Sequence, residues 1–219
     1  MSLELSATHV GGRTRFGGNP DMATDEVWPQ FPGGPASFVG QVDFTEVPSE
    51  VRAEALVPPA GLLRLFIPQQ KDESIFWRDA GYVRALFTTN WTTERPLPEG
   101  AEPAWRCAHA RMRTAWDIPF DGKQADGWPW PEPTAGSYEN SLQYQKLRST
   151  AHTEDYLLGW PAHQSLGYDP TPEGMIPLLT LTSRADTDWQ WGDADTLMVF
   201  ITPQELTTGQ FDNLGNDIG

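Results

Sequence analysis

The clearest hydrophobic pattern lies near the C-terminal end of the chain, where residues 197–201, LMVFI, form a continuous apolar run. A run of this length, bounded by turn residues, is typical of a strand that is buried on both faces. Gly192 and the acidic step after it provide a turn before the run. Pro203 ends the strand, because proline cannot donate to a sheet ladder. We therefore expect this strand to lie near the centre of the core.

Three further segments predict strands. Residues 62–67, LLRLFI, are strongly apolar and are closed by Pro68, and residues 176–182, IPLLTLT, have a similar pattern. Residues 82–88, YVRALFT, fit a strand that is less apolar. Such segments, separated by many glycines and prolines, favour a β-rich fold with long connections.

Residues 37–44, SFVGQVDF, alternate between apolar and polar positions, as expected of a strand with two different faces. The alternation places Gln41 and Asp43 on the same face. These two side chains point either into solvent or into a shared pocket. Solvent is the expected direction, because polar side chains are mostly exposed.

Helices are expected to be few and short, because the chain holds 20 glycines and 20 prolines. The predicted helices cover residues 46–56, 103–116 and 137–148, with proline or serine near the start of each. Residues 120–136, rich in proline, cannot form a regular helix or a central strand. The last residues, 211–219, are polar and predict a loose tail.

The chain carries a weak internal similarity. The segment 61–69, GLLRLFIPQ, resembles 196–204, TLMVFITPQ, and each follows another apolar strand and an earlier Gly/Trp-Pro segment. We interpret this as a degenerate internal duplication with a period of roughly 135 residues, longer than solenoid repeats. The predicted fold is mainly β or α+β, with antiparallel β-roll-like sheets and a few short helices. One domain, 1–219, would contain two halves and a helical or loop insert, at about 9–90, 150–211 and 91–149.

Composition and charge limit the classes of partner that we expect. Acidic residues outnumber lysine and arginine by 30 to 15, which gives a formal net charge of −15. Such a surface repels phosphate backbones and anionic membranes, so neither nucleic acid nor a membrane is expected as a partner. A basic protein or peptide, or a cation, is the partner type that the charge favours. Plain solubility is the simpler explanation of the same charge.

Cys107 is the single cysteine, which excludes a disulfide within one chain and fits the reduced cytoplasm. Cys107 and His109 would point to different sides of a helix, so they do not predict a nucleophile and base. Cys107 is expected to be a small buried residue. No apolar run approaches the ~18 residues that suggest a membrane span.

Four aspartates cluster in DTDWQWGDAD, a stretch that superficially resembles a calcium loop. The EF-hand interpretation fails, because glycine stands seventh instead of sixth and leucine stands at the twelfth position, where a bidentate glutamate is needed. The sequence therefore predicts no metal site and no cofactor. Adventitious cation binding by the cluster stays open for Asp186, Asp188, Asp193 and Asp195.

A family resemblance rests on several segments in a fixed order. GGNP and WP are followed by SFVGQVDF, PPAGLLRLFI, LLGWPAHQSLGY and WGDADTLMVFITPQEL. This combination resembles the YwqG-like family of uncharacterised bacterial proteins, over most of the chain except about 90–135. The resemblance implies a mainly β or α+β roll and no established activity. Asp195 departs from the small residue expected there, and a final strand that the family often has after TPQEL is not evident.

The expected function is that of an uncharacterised cytosolic protein acting as a non-catalytic binding or protein-interaction domain. No catalytic residue is predicted. The candidate binding residues are Trp160, His163, Gln164, Trp191 and Asp193.

Three alternatives stay open. The first is an enzyme of unknown chemistry with His163 and Asp193 in one cleft, the second is a neutralising, immunity-type partner of a basic protein, and the third is a purely structural domain. A deep pocket that gathers His163, Trp191 and Asp193 would favour the enzyme. A broad exposed aromatic surface would favour the binding domain.

Overall fold

The computed structural model describes residues 1–8, 11–55, 57–90, 92–118, 142, 146, 149–150, 154–161 and 165–219. The first seven strands are β1 Ser2–Ser6, β2 Arg15–Phe16, β3 Asp21–Met22, β4 Gln30–Phe31, β5 Gly34–Pro35, β6 Ser37–Asp43 and β7 Leu62–Ile67. The next seven are β8 Arg84–Thr88, β9 Thr93–Glu94, β10 Ala108–Arg113, β11 Tyr156–Leu157, β12 Ile176–Thr182, β13 Thr196–Ile201 and β14 Gly215–Ile218. The helices with described bounds are α1 Ser49–Ala55 and α2 Pro203–Thr208.

Ten strands form one antiparallel sheet that curls into a half-barrel. The order across this sheet is β8-β7-β6-β2-β10-β1-β11-β12-β13-β14. Two small ribbons, β3 with β9 and β4 with β5, lie apart from it. The predicted mainly β fold with antiparallel sheets and a few short helices is confirmed.

The two most apolar hairpins have the same register. Phe38 pairs with Phe66 in β6 and β7, and a β-bulge follows before Gly40. Pro177 pairs with Phe200 in β12 and β13, and a bulge follows at the same position. Because a bulge inserts one unpaired residue and fixes the local twist, its recurrence makes the two hairpins geometric equivalents.

This equivalence extends to whole units of five strands. Strands β1, β2, β6, β7 and β8 follow the chain in the same order as β10 to β14, and each β-ladder of one unit recurs in the other. The first strand of each unit is exchanged, since β1 lies beside β11 and β10 lies beside β2. The bounds predicted for two halves, about 9–90 and 150–211, stay a proposal.

The larger core lies on one face of the curled sheet. Alternate residues of β7 and β13 point into it, because successive strand side chains lie on opposite faces. The strand expected at the centre of the core, β13, is second from the sheet edge and is buried throughout its apolar part. A second, smaller core lies on the opposite face, built on Phe38 and Phe66 with Trp28. Core residues from the two hairpins include Leu63, Leu65, Ile67, Leu197, Val199 and Ile201.

Helix α2 follows directly from its sequence. The Thr202 hydroxyl accepts a hydrogen bond from the Glu205 N–H, which satisfies a free donor of the first turn. Pro203 occupies the first turn, where no N–H is needed. Gly209 ends the helix in the left-handed conformation, at φ 68°. The helix buries Leu206 against the core.

The helix expected over 103–116 is wrong, because residues Ala108–Arg113 form β10. This segment alternates buried Ala110 and Met112 with exposed Arg111 and Arg113, a period of two instead of 3.6. Its partner strand β1 lies about a hundred residues away in sequence, so the pairing is not a local signal.

The loose tail expected over 211–219 is also wrong, because β14 is a mostly buried strand at the edge of the sheet. Ile218 packs into the core, and the buried Asp217 carboxylate accepts a hydrogen bond of 2.9 Å from the Tyr168 hydroxyl. The strand that the family resemblance left in doubt is therefore present. The polar residues in β14 are stabilised by tertiary contacts that the local sequence does not indicate.

The prediction that Gln41 and Asp43 point into solvent is wrong, because both residues are buried. The Gln41 side chain is fully buried. Its Oε1 accepts a 2.8 Å hydrogen bond from the Asp21 N–H, and its Nε2 donates to the Arg13 carbonyl over 2.8 Å. The ribbon of β3 and β9 is the reason, because Asp21 and its neighbours lie over this face of β6.

The helix predicted over 137–148 and the loop predicted over 120–136 lie outside the described residues. Within the described part of the chain, no helix is both long and apolar enough to cross a bilayer.

Candidate functional site

A cleft of about 390 Å³ opens where the loop after β7 meets the turn before β13. We call it the aromatic cleft, because five of its side chains are aromatic. Each unit of the sheet supplies one wall, so the cleft is a product of the tertiary fold. Its lining consists of Ile67, Pro68, Gln69, Gln70, Asp72, Glu73, Ile75, Phe76, Trp77, Tyr82, Trp105, Gln190, Trp191, Gly192 and Ile218.

Trp191 forms one fixed wall of the aromatic cleft. Its backbone N–H donates a 2.8 Å hydrogen bond to the Ser183 hydroxyl, which ties the turn to the end of β12. Its ring meets the Trp105 ring edge to face, with centroids 5.3 Å apart and planes at 77°. This is a favourable aromatic geometry. Trp191 is only 3% exposed, so nearly all of its surface is packed against protein.

Trp105 is held in place by the Gly17-Gly18 pair. The Gly18 N–H donates to the Trp105 carbonyl over 2.9 Å, and both glycines have positive φ, at 69° and 71°. A Cβ atom on Gly17 would lie 2.5 Å from the Arg106 carbonyl oxygen. Only glycine permits this approach, so the paired glycines near the start of the chain position a wall of the cleft about 90 residues later.

The opposite wall is the loop of residues 68–83. Its tip is anchored to the other unit, because the Arg78 N–H donates to Asn216 Oδ1 over 2.9 Å. The Asn216 Nδ2 donates back to the Asp79 carbonyl over 3.3 Å. Trp77 nevertheless keeps 44% of its surface exposed, and Phe76 is more exposed still. An anchored loop that presents exposed aromatic rings is typical of a binding surface.

The charge of the aromatic cleft is negative. The described lining contains two carboxylates, Asp72 and Glu73, and no basic side chain. Hydrogen bonds from the Ser74 hydroxyl and backbone hold the pKa of the Asp72 carboxyl below its usual value, so it is ionised at neutral pH. Burial raises the pKa of the Tyr82 hydroxyl, which stays protonated and able to donate.

Two lining residues carry buried polar atoms without a partner in the described part of the molecule. Gln69 donates through Nε2 to the Pro35 and Gly100 carbonyls, over 2.8 and 2.9 Å, but its Oε1 accepts nothing. The Trp191 Nε1–H likewise lacks an acceptor among these residues. Unsatisfied buried groups are uncommon in folded proteins and are costly.

A second cavity, of about 270 Å³, adjoins the aromatic cleft. The two share Gln70 and Trp105 in their linings. Among the described residues, the lining of the second cavity is mainly small or apolar, and Glu102 is the one charged residue. Its full lining is Gly18, Ala36, Ser37, Phe38, Gln70, Leu97, Glu102, Pro103, Ala104 and Trp105.

The candidate residues from the sequence do not gather in one place. Trp191 lines the aromatic cleft, whereas Asp193 is exposed and does not line it. Trp160 is held elsewhere, since its N–H donates to Asp117 Oδ2 and its carbonyl accepts from the Tyr156 hydroxyl, each over 2.6 Å. His163 and Gln164 lie outside the described residues.

Two of the four clustered aspartates form ion pairs with arginines. Asp186 pairs with Arg184 at 3.0 Å, and Asp188 pairs with Arg106 at 2.9 Å. The Asp193 N–H instead makes a long contact, 3.4 Å, with a carboxylate oxygen of Asp195. In the described ranges, no group of three or more His, Cys, Asp and Glu side chains is placed to hold a metal ion.

Cys107 and His109 lie closer than expected, with 3.8 Å between Sγ and Nε2. The reason is that the segment is extended instead of helical, so residues two apart share a face. Burial raises the pKa of the Cys107 thiol. The thiolate is the reactive form, so this environment does not activate the cysteine.

A second concentration of charge lies under the β3–β9 ribbon. Asp21 accepts from Arg15 at 2.7 Å and from Arg13 at 2.9 Å, and the fully buried Arg64 forms a two-pronged pair with Glu26. Carboxylates and guanidinium groups neutralise one another here. This largely buried network fastens the ribbon to the sheet.

Sequence reasoning missed most of the aromatic cleft. The sequence around Trp77 and Tyr82 does indicate a binding surface, because these aromatic residues stand in a largely polar loop, KDESIFWRDAGY. An aromatic residue in a polar loop needs a partner or a ligand. No local sequence pattern indicates the role of Trp105, because that role depends on contacts with Gly18 and Trp191, which are distant in the sequence.

Comparison with known proteins adds a family and no activity. The family described as "Domain of unknown function (DUF1963)" has a model that matches residues 14–216. No curated protein matches the chain.

Proposed function

Because the chain belongs to the DUF1963 family, whose function is unknown, we propose its function from the site. In this proposal the protein is a non-catalytic binding domain, and its aromatic cleft holds a positively charged side chain of a protein partner. The observation that carries the proposal is the union of exposed aromatic rings and carboxylates, with no basic residue, in one described cleft.

Cation–π attraction gives the physical basis. A guanidinium or ammonium group is attracted to the face of a tryptophan or tyrosine ring, by about 0.5 to 2 kcal/mol depending on desolvation. Trp77, Trp105 and Tyr82 offer three such rings, and Asp72 and Glu73 supply the opposite charge. The formal net charge of −15 adds long-range attraction for a basic partner.

Binding is favoured over catalysis by the chemistry of the lining. A nucleophile needs a base within hydrogen-bond reach, and the described cleft contains neither cysteine, serine nor histidine. The alternative enzyme would depend on His163 with Asp193. Asp193 is exposed and stands outside the cleft lining, so that alternative has less support.

A neutralising, immunity-type role is a special case of the same proposal. An acidic domain that captures a basic side chain in an aromatic cleft could block a basic protein partner. The acidic charge and the cleft support this role only as far as they support binding of a basic protein in general.

Isothermal titration with acetyl-arginine amide tests the proposal on the full chain. Binding is expected, and acetyl-glutamate amide should give no heat. Trp77→Ala should weaken arginine binding by about 2- to 30-fold, the loss of one cation–π contact. Glu73→Gln should weaken arginine binding more at low salt than at high salt, because salt screens an exposed charge.

Trp116→Ala is the matched control, because Trp116 is 89% exposed and does not line the cleft. This variant should bind arginine amide like the parent chain. Absence of arginine binding, equal binding of the glutamate probe, or equal effects of the two tryptophan variants would refute the proposal.

A further inference from the structure

The aromatic cleft and the second cavity adjoin, and this continuity points to the shape of the ligand. Resting on the proposed function, we infer that the ligand is an extended basic polypeptide segment that occupies both. An arginine or lysine side chain lies in the aromatic cleft, and a small apolar side chain of the same segment lies in the second cavity.

Continuity of the two cavities is the first argument. Gln70 and Trp105 contribute to both linings, so the two cavities meet at these two residues. The Gln70 N–H donates to Glu102 Oε2 over 2.9 Å, which ties the loop after β7 to the segment before β10 along the junction. A ligand that follows this junction touches both cavities. A single amino acid would fill only one.

The different chemistry of the two linings is the second argument. The aromatic cleft combines rings with Asp72 and Glu73, which suits a long cationic side chain. The second cavity is walled by Ala36, Leu97 and Ala104, which suits a small apolar group. A polypeptide is the ligand class that presents these two kinds of side chain at a fixed spacing.

Charge complementarity is the third argument. Every charged residue in the two described linings is acidic, namely Asp72, Glu73 and Glu102. The whole chain carries twice as many acidic as basic residues, 30 against 15. A basic segment is therefore attracted at long range and matched at contact, whereas an acidic peptide is repelled at both.

The peptide backbone also matches the lining. The Gln69 Oε1 needs a donor and the Trp191 Nε1–H needs an acceptor, and both belong to lining residues of the aromatic cleft. A peptide bond offers one donor and one acceptor. Both unpaired atoms are covered by protein. Small rotations of the Gln69 and Trp191 side chains therefore accompany their pairing with the ligand.

The experiment compares two probes by isothermal titration on the full chain. The short probe is acetyl-arginine amide, and the long probe is a heptapeptide amide with one central arginine and alanine at all other positions. The heptapeptide should bind about tenfold more tightly, because it also buries apolar surface in the second cavity. A heptapeptide with central glutamate should not bind.

Ala104→Trp isolates the second cavity, because Ala104 lines that cavity and not the aromatic cleft. This variant should remove the gain of the long probe and leave the short probe unchanged. Ala185→Trp is the control, since Ala185 is exposed and lines neither cavity. It should bind both probes like the parent chain.

The outcomes separate this inference from the proposed function. If both probes bind equally, or the gain survives Ala104→Trp, the extended ligand is wrong and the cation site stands. If the heptapeptides with arginine and glutamate bind equally, the basic character of the segment is wrong. If neither arginine probe binds, the proposed function itself is refuted, and the inference falls with it.

Discussion

Glu4 of β1 lies opposite Arg111 of β10 at the centre of the ten-stranded sheet. Five strands lie on each side of the boundary between β1 and β10. The register is symmetric about the pair. Ser2 faces Arg113 two residues to one side, and Ser6 faces His109 two residues to the other. A pseudo-twofold axis through this pair relates the two units, and it runs between their exchanged first strands.

Strand exchange predicts that neither unit holds together without the other. Cleavage at a protease site inserted between Glu99 and Gly100, two exposed residues, should leave the fragments associated. The reason is that β1 stays paired with both β10 and β11 of the other fragment. Size-exclusion chromatography should show one peak under native conditions and two in denaturant. Separation of the fragments in native buffer would contradict the prediction.

The sequence predicted the fold where information is local. The apolar runs of β7, β12 and β13 predicted strands, and the similarity between the runs predicted two equivalent strand pairs. Strand β10 was missed because its burial alternates between small apolar residues and long polar ones. Strand β14 was missed because buried Asp217 depends on Tyr168, about fifty residues away.

The candidate site was harder to predict, because its walls come from three distant stretches. Trp77, Trp105 and Trp191 are brought together by sheet pairing between units and by the Gly17-Gly18 turn. Nothing within any one stretch marks it as part of a cleft. The Gly17-Gly18 turn packs against the Trp105 segment about 90 residues later, a contact that no local sequence pattern indicates.

Gly17→Ala should destabilise the protein strongly. The change adds left-handed backbone strain of about 1–2 kcal/mol and a clash of the new Cβ with the Arg106 carbonyl. Gly81→Ala is the matched control, since Gly81 also has positive φ, at 81°, but nothing lies within 4 Å of its added Cβ. Urea unfolding should give a clearly larger loss for Gly17→Ala. Equal losses would mean that the close approach is unimportant.

Glu26→Gln should cost about 3–5 kcal/mol of unfolding free energy, because it leaves the buried Arg64 guanidinium without its countercharge. Met198 holds the equivalent position in the second unit, opposite Thr180 as Arg64 is opposite Gln41. Adding Arg64→Met to Glu26→Gln should therefore recover most of the loss. Urea unfolding of both variants measures the effect.

Glu4→Gln is the surface control for this ion pair. Glu4 pairs with Arg113 at 2.7 Å, but both side chains are more than half exposed. Exposed pairs contribute about 0–1 kcal/mol, so this variant should unfold almost like the parent chain. A loss as large as that of Glu26→Gln, or a double variant no more stable than Glu26→Gln, would show that burial of Arg64 is not the cause.

Two buried aspartates should respond to acid in opposite directions. Burial alone would raise the pKa of Asp21, but hydrogen bonds and charges from Arg15, Gln41 and Arg13 hold that pKa below its usual value. Asp21 therefore stabilises the folded state above the ordinary carboxyl pKa of about 4, and this stabilisation is lost as the pH falls further. Burial raises the pKa of Asp155, which thus adds stability as the pH falls through its raised value.

Urea unfolding between neutral pH and pH 3 separates the two effects. Asp21→Asn should flatten the loss of stability below about pH 4, because the carboxylate that must be protonated there is gone. Asp155→Asn should make the fall from neutral pH toward pH 4 steeper, because it removes a group whose protonation favours the folded state. Both variants are compared by slope against pH, so a constant loss of hydrogen bonds does not enter. If both substitutions changed the slope in the same direction, the assignment of opposite pKa shifts to these two carboxyls would be wrong.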